Sequence, residues 1–193
     1  MDYSNFLVIG EAFTPDAVRL RESLDLVGNR ANAVATGAWQ PNEPLRFAQY
    51  EGTEWYDLLG TQVASIQTFS NRVLNAFSAA GVTGWKAAPA IVTNSLGQPV
   101  PNYGLLIVTG RSGPIDNSRS VQADWLIHGK TTAKKAWKGL YFEDGTWDGS
   151  DLFAPLGSAF FFATSKVKDV LEREKATNVD LEPLSEVIRP VLF

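Results

Sequence analysis

The sequence contains no cysteine, one histidine (His128) and one methionine. Without cysteine there is no disulfide, no thiolate zinc site and no Cys nucleophile. A single histidine cannot build a multi-His metal centre. Long apolar runs are missing as well. Ala159-Phe160-Phe161-Phe162-Ala163 falls far short of the roughly 20 residues a membrane-spanning helix requires. A basic surplus is also absent. The 17 Lys and Arg against 21 Asp and Glu leave a formal charge of −4, which argues against a chain built to hold nucleic-acid phosphates. Asp2 stands where an export signal carries positive charge, and Phe6-Leu7-Val8-Ile9 is too short for its apolar segment. These absences lead to the expectation of a cytoplasmic protein with no cofactor, no bound metal, and neither nucleic acid nor membrane as partner.

What is present is ordinary globular material: 193 residues, 45% apolar and 20% charged, with eleven Phe, six Trp and five Tyr to fill a core. That length suits one domain spanning 1–193. Phe6–Ile9 reads as a short buried strand. Thr14-Pro15-Asp16 has the form of a helix start, with Ala17, Leu20, Leu24 and Val27 following at helical spacing, although Val18-Arg19-Leu20-Arg21 also alternates as a strand does. The stretch from Asn29 to Pro44 reads as loop and Leu45-Arg46-Phe47-Ala48 as a strand. Further strands are expected at 85–92, 103–108, 121–127 and 140–142. Turns are expected at 94–99 and 110–114, and a solvated basic connection from Lys130 to Lys138.

An internal repeat links residues 57–89 with 151–183 at an offset of 94. Asp57-Leu58-Leu59 lies over Asp151-Leu152-Phe153, and Ser70 over Thr164 as a helix N-cap. Val73, Ala76 and Phe77 lie over Val167, Val170 and Leu171. Gly84 and Asn178 match as residues that take a left-handed turn after a helix, and a proline follows each, at 89 and 183. The pattern predicts two strand–helix–strand units, with helices near 71–80 and 165–175, flanking a strand-rich middle and preceded by an N-terminal part, 1–56. The fold class is α+β, a mixed or antiparallel sheet with few helices.

Candidate chemistry is sparse. Gly129-Lys130-Thr131 lacks the glycine that a phosphate loop needs five residues earlier, because Asp124 stands there. No serine sits in a Gly-x-Ser-x-Gly elbow to work with His128, which ends an apolar strand. Trp137, between Lys135 and Lys138, is the one place where an aromatic interleaves with basic residues. The run Glu143-Asp144-Gly145-Thr146-Trp147-Asp148-Gly149-Ser150-Asp151 gathers four acids, yet a calcium loop begun at Asp144 would lack its closing glutamate, since Pro155 stands there. That run reads as two turns. It also offers a carboxylate set for a small hydrolase or sugar-active enzyme. Asp57 and Asp151 read either as a symmetric catalytic pair or as turn caps.

Asp151-Leu152-Phe153, followed by Phe160-Phe161-Phe162-Ala163-Thr164-Ser165-Lys166-Val167-Lys168-Asp169-Val170-Leu171-Glu172-Arg173, resembles a bacterial immunity-protein family of polymorphic toxin systems. This is the eleventh immunity family, formerly a domain of unknown function. Ile115-Asp116-Asn117-Ser118-Arg119-Ser120, after Tyr103–Val108, resembles its middle segment. The related double-CXXCG immunity proteins share the C-terminal pattern, but this chain lacks their cysteines. The resemblance covers about 60–184. It implies a non-enzymatic protein that binds and neutralises a cognate toxin protein. A partner surface is then expected at Glu143, Asp144, Trp147 and Asp148, where turn glycines would push an aromatic anchor outward among steering acids. The alternatives are the enzyme already named and a regulatory binding module with no toxin partner.

Overall fold

The computed structural model describes residues 1–22, 29–126 and 133–190. It is an α+β fold, 44% strand and 15% helix, with three α-helices among the described residues. In chain order the first half comprises β1 (Phe6–Glu11), β2 (Arg19–Glu22), α1 (Asn29–Ala35), β3 (Leu45–Glu51), β4 (Leu58–Thr61), β5 (Gln67–Ser70), α2 (Asn71–Ala79) and β6 (Trp85–Thr93). The second comprises β7 (Tyr103–Val108), β8 (Gly110–Pro114), β9 (Val121–Leu126), β10 (Ala133–Lys138), β11 (Leu152–Leu156), β12 (Phe161–Thr164), α3 (Ser165–Arg173), β13 (Val179–Pro183) and β14 (Ile188–Pro190).

Both halves follow one plan. β4 and β5 pair antiparallel with Leu58 opposite Phe69, and β11 and β12 pair with Leu152 opposite Ala163. β2 runs parallel to β4, and β8 parallel to β11. The opening strand of each half lies in the other half's sheet. β1 sits between β12 and β13, and β7 between β5 and β6, with Pro183 opposite Leu7 and Pro89 opposite Gly104. The halves are thus interleaved.

They differ at their margins. In the first half β3 bridges β2 and β6, closing a six-stranded barrel, β2-β3-β6-β7-β5-β4. In the second, the sheet β13-β1-β12-β11-β8 stays open and β9, β10 and β14 form a separate small sheet. Because side chains alternate along a strand, the open sheet serves two cores. Ile9, Leu152 and Phe161 join the large core with Leu20, Phe47, Phe69 and Phe77, whereas Phe6, Phe153 and Phe162 join a second with Phe142 and Leu184.

Several expected elements need correction. Thr14-Pro15-Asp16 starts no helix. Asp16 turns the chain with a positive φ, and β2 follows, burying Val18 and Leu20 while turning Arg19 and Arg21 outward. The alternation there outweighs the helical spacing, because it alone puts both apolar residues into the barrel. Within the presumed loop 29–44 lies α1, whose small Ala31, Val34 and Ala35 are buried. Residues 110–114 form a strand, not a turn. A β-carbon on Gly110 would meet the Leu152 carbonyl, so glycine there permits close strand approach. Part of the supposed basic connection is β10, and 140–142 forms only an isolated bridge, Ile115 to Phe142.

Candidate functional site

Asp57 and Asp151 stand at equivalent places just before β4 and β11, and each gathers an equivalent set of donors. Asp57 accepts from Ser70 Oγ at 2.6 Å, Arg72 Nη2 at 2.6 Å, and the Thr177 amide and hydroxyl, both at 2.9 Å. Asp151 accepts from Thr164 Oγ1 at 3.1 Å, Lys166 Nζ at 3.1 Å, and the Thr83 amide and hydroxyl at 2.9 and 3.0 Å. Every partner of one carboxylate lies 94 residues from its counterpart on the other. Burial pushes both carboxyl groups up, but the hydrogen bonds outweigh it and hold both below the usual carboxylate range. Each is therefore a fixed anion, unsuited to proton transfer near neutral pH. Because Thr177 belongs to the second half and Thr83 to the first, each carboxylate clasps one half to the other.

In the acidic run, Asp144 and Asp148 are engaged in the same manner. Glu143 and Asp144 are exposed. Asp144 accepts from Arg119 Nη2 at 2.6 Å and from the Tyr3 hydroxyl; Asp148 accepts from the Arg111 amide at 2.7 Å and the Ser150 amide at 2.9 Å. The Tyr3 hydrogen bond holds Asp144 below the usual range; for Asp148, burial pushes upward but the amide hydrogen bonds prevail. Trp147 is half-buried. Its indole lies edge-on to Phe6, ring centres 5.0 Å apart, and its Nε1 donates to the Ser150 carbonyl at 2.9 Å. Gly145 and Gly149 thus turn the chain without carrying the indole into solvent. His128 and Gly129-Lys130-Thr131 lie outside the described residues. Among the described residues no three His, Cys, Asp or Glu side chains cluster as metal ligands, and no helix is long and apolar enough to cross a membrane.

Against protein-family models and curated proteins, the sequence finds no match.

Two features that the sequence reading passed over stand out on the first half. Three exposed aromatic rings each carry an arginine above them: Phe13 (66% exposed) under Arg19, Tyr50 (40%) under Arg21, and Trp39 (41%) under Arg30. Arg19 and Arg21 project from the same outer face of β2. Nearby, a cleft of about 490 Å³ opens where the two sheets meet, between β1, β4, the start of β5 and the segment before β12. Ile9, Ile66 and Phe161 wall it, Phe13 and Phe160 stand at its mouth, and its polar members are Glu11, Arg19, Thr61, Gln62 and Gln67. A local signal for Glu11 existed, since it lies two residues beyond Ile9 and so shares its inward face. Nothing local marks Gln67.

Proposed function

We infer that this chain is a non-enzymatic protein-binding module of the immunity type, which neutralises a cognate bacterial toxin by docking on it. The observation that carries the reading is the set of exposed aromatic rings capped by arginines on the first half. Tyr, Trp and Arg are the side chains that most often anchor protein interfaces; Tyr and Trp bury large area with little loss of conformational freedom, and Arg adds a planar, multiply donating charge. A stacked guanidinium keeps such a ring ordered before its partner arrives. The state of the clasp and acidic-run aspartates, the carboxylates offered as a catalytic set, supports the same conclusion. Asp57, Asp144, Asp148 and Asp151 are engaged within the chain and held ionised, where a glycosidase or hydrolase would need one carboxyl poised to give up a proton. Glu143, Asp144 and Asp148 serve in this reading as an exposed acidic rim that steers association, with anchoring assigned to Phe13, Tyr50 and Trp39 and not to Trp147.

The test is co-expression with the protein encoded directly beside it. The expected result is protected growth and a stable complex on size-exclusion chromatography. A folded Tyr50→Ala/Trp39→Ala variant is expected to lose protection at low expression. Absence of both complex and protection with every neighbouring gene product would overturn the proposal.

A further inference from the structure

The cleft at the meeting of the two sheets holds two hydrogen-bond acceptors that the fold leaves poorly matched. Glu11 is only 13% exposed at its side chain, yet its cation is loosely placed, with Arg19 Nε 3.9 Å from Oε1. Its other neighbour, Asn178 Nδ2, lies at 3.5 Å and already donates to the Leu58 carbonyl at 2.9 Å. Glu11 lies against Gly60, where a β-carbon would fall on its carboxylate, so this glycine leaves the space that the acid occupies. On the same wall Gln67 is 7% exposed and its Oε1 has no hydrogen-bond partner. Leaving a buried acceptor without a donor is costly, so a ligand that supplies one recovers that cost. Apart from Thr61 and Gln62, the remaining walls are apolar or aromatic.

We propose that this cleft binds a small organic cation, a primary ammonium carried on an aromatic or branched apolar body. The ammonium takes the place of Arg19 at Glu11 and donates to Gln67, while the body lies on Ile9, Ile66 and Phe161. The rings of Phe13 and Phe160 at the mouth present faces that attract cations. Arg19, stacked over Phe13 at 5.1 Å, is the resident competitor and can swing to solvent when displaced. The site shares Phe13 and Arg19 with the toxin-docking reading but does not rest on it, and its test uses no partner protein.

The probe is phenethylamine, titrated into the full chain at neutral pH and followed by the methyl resonances of Ile9 and Ile66. The control is 3-phenylpropanoate, which carries a similar body with the opposite charge. The expected result is saturable shifts with the amine and none with the carboxylate. Glu11→Gln should weaken the amine by about tenfold or more, the loss of one charge-assisted contact. Arg19→Met should tighten it, since the competitor is gone; that variant keeps the proposal testable if Glu11→Gln fails to fold. Equal binding of the two probes, no methyl shifts with the amine, or an affinity unchanged or weakened in Arg19→Met would each overturn it.

Discussion

Replacing Asp57 by alanine tests how far the inter-half clasps hold the fold together. In the native state this carboxylate, 8% exposed as a residue, accepts four hydrogen bonds. Two donors come from Thr177 in the other half, one from the Ser70 N-cap of α2, and one from Arg72. Hydrogen bonds to a charged group are worth about 1.5–3 kcal/mol each. The Arg72 side chain is nearly half exposed and regains water on loss of its partner, so its contribution is heavily discounted. The Thr177 amide and hydroxyl are left without their acceptor. The expected loss is about 3–4 kcal/mol at neutral pH, within the range seen when one partner of a buried charged contact is removed. Urea unfolding of wild type and variant, read at equal m, measures it. The pH dependence is a second readout. The folded carboxyl titrates below its unfolded value of about 3.9, so its stabilisation is fully present above that value and declines as pH falls through the folded one. The gap between wild type and Asp57→Ala should therefore narrow on acidification. A loss under about 1 kcal/mol, or a gap that widens in acid, would refute the reasoning.

Asp151→Ala should cost less than Asp57→Ala by the same assay, because its contacts to Lys166 and Thr164 are longer, at 3.1 Å, and its surroundings wetter. Phe153→Ala, which empties the centre of the second core, should cost about 3–5 kcal/mol by thermal or urea unfolding. Gly84→Ala is expected to destabilise more than Gly97→Ala in differential scanning: both have positive φ, but only at Gly84 would the new β-carbon meet backbone, the Leu152 carbonyl. A single cut engineered into the exposed loop at Leu96 should leave the two fragments co-eluting without denaturant, since β1 and β7 each lie in the other half's sheet; separation in plain buffer would contradict the strand exchange.

Much of the central plan was legible because its determinants are local. Ser70 and Thr164 stand directly before α2 and α3, and the apolar residues that follow keep one face buried. The residues matched at an offset of 94 include Asp57 with Asp151 and Ser70 with Thr164, which take part in the clasps, whereas the clasp cations Arg72 and Lys166 are not among the matches. What stayed hidden depended on distant segments. Val18-Arg19-Leu20-Arg21 satisfies a strand and a helix pattern alike, and only the barrel wall waiting beside it decides for β2. Gly110 and Gly113 look like turn residues, yet they lie where β11 and Thr146 approach too closely for a side chain. The cleft draws Glu11, the Gly60–Gln67 pair of the β4–β5 hairpin and Phe160 from three separate stretches, and no spacing within the sequence brings the three together.

The two halves keep the same clasp and differ around it, and that contrast locates where this chain is specialised. Asp, the hydroxyl preceding the helix, cation and Thr recur at both clasps with equivalent bonds to the carboxylate, as a purely structural requirement would impose on each half. Only Ser70 also caps its helix; the expected Thr164 side-chain cap is not made. The margins carry no such constraint. β3 closes the barrel in the first half, whereas the matching stretch of the second supplies only a bridge at Phe142 and the turn bearing Glu143 and Asp144. The exposed arginine-capped rings of Phe13, Tyr50 and Trp39 lie on the first half, whereas Arg119 of the second covers only the half-buried Tyr3, and Glu11 faces Gly60 where the second half has Ala154. An arrangement that conserves its fasteners and varies its periphery places recognition at the periphery, and the features that break the symmetry are the ones that the proposed partner and ligand sites use.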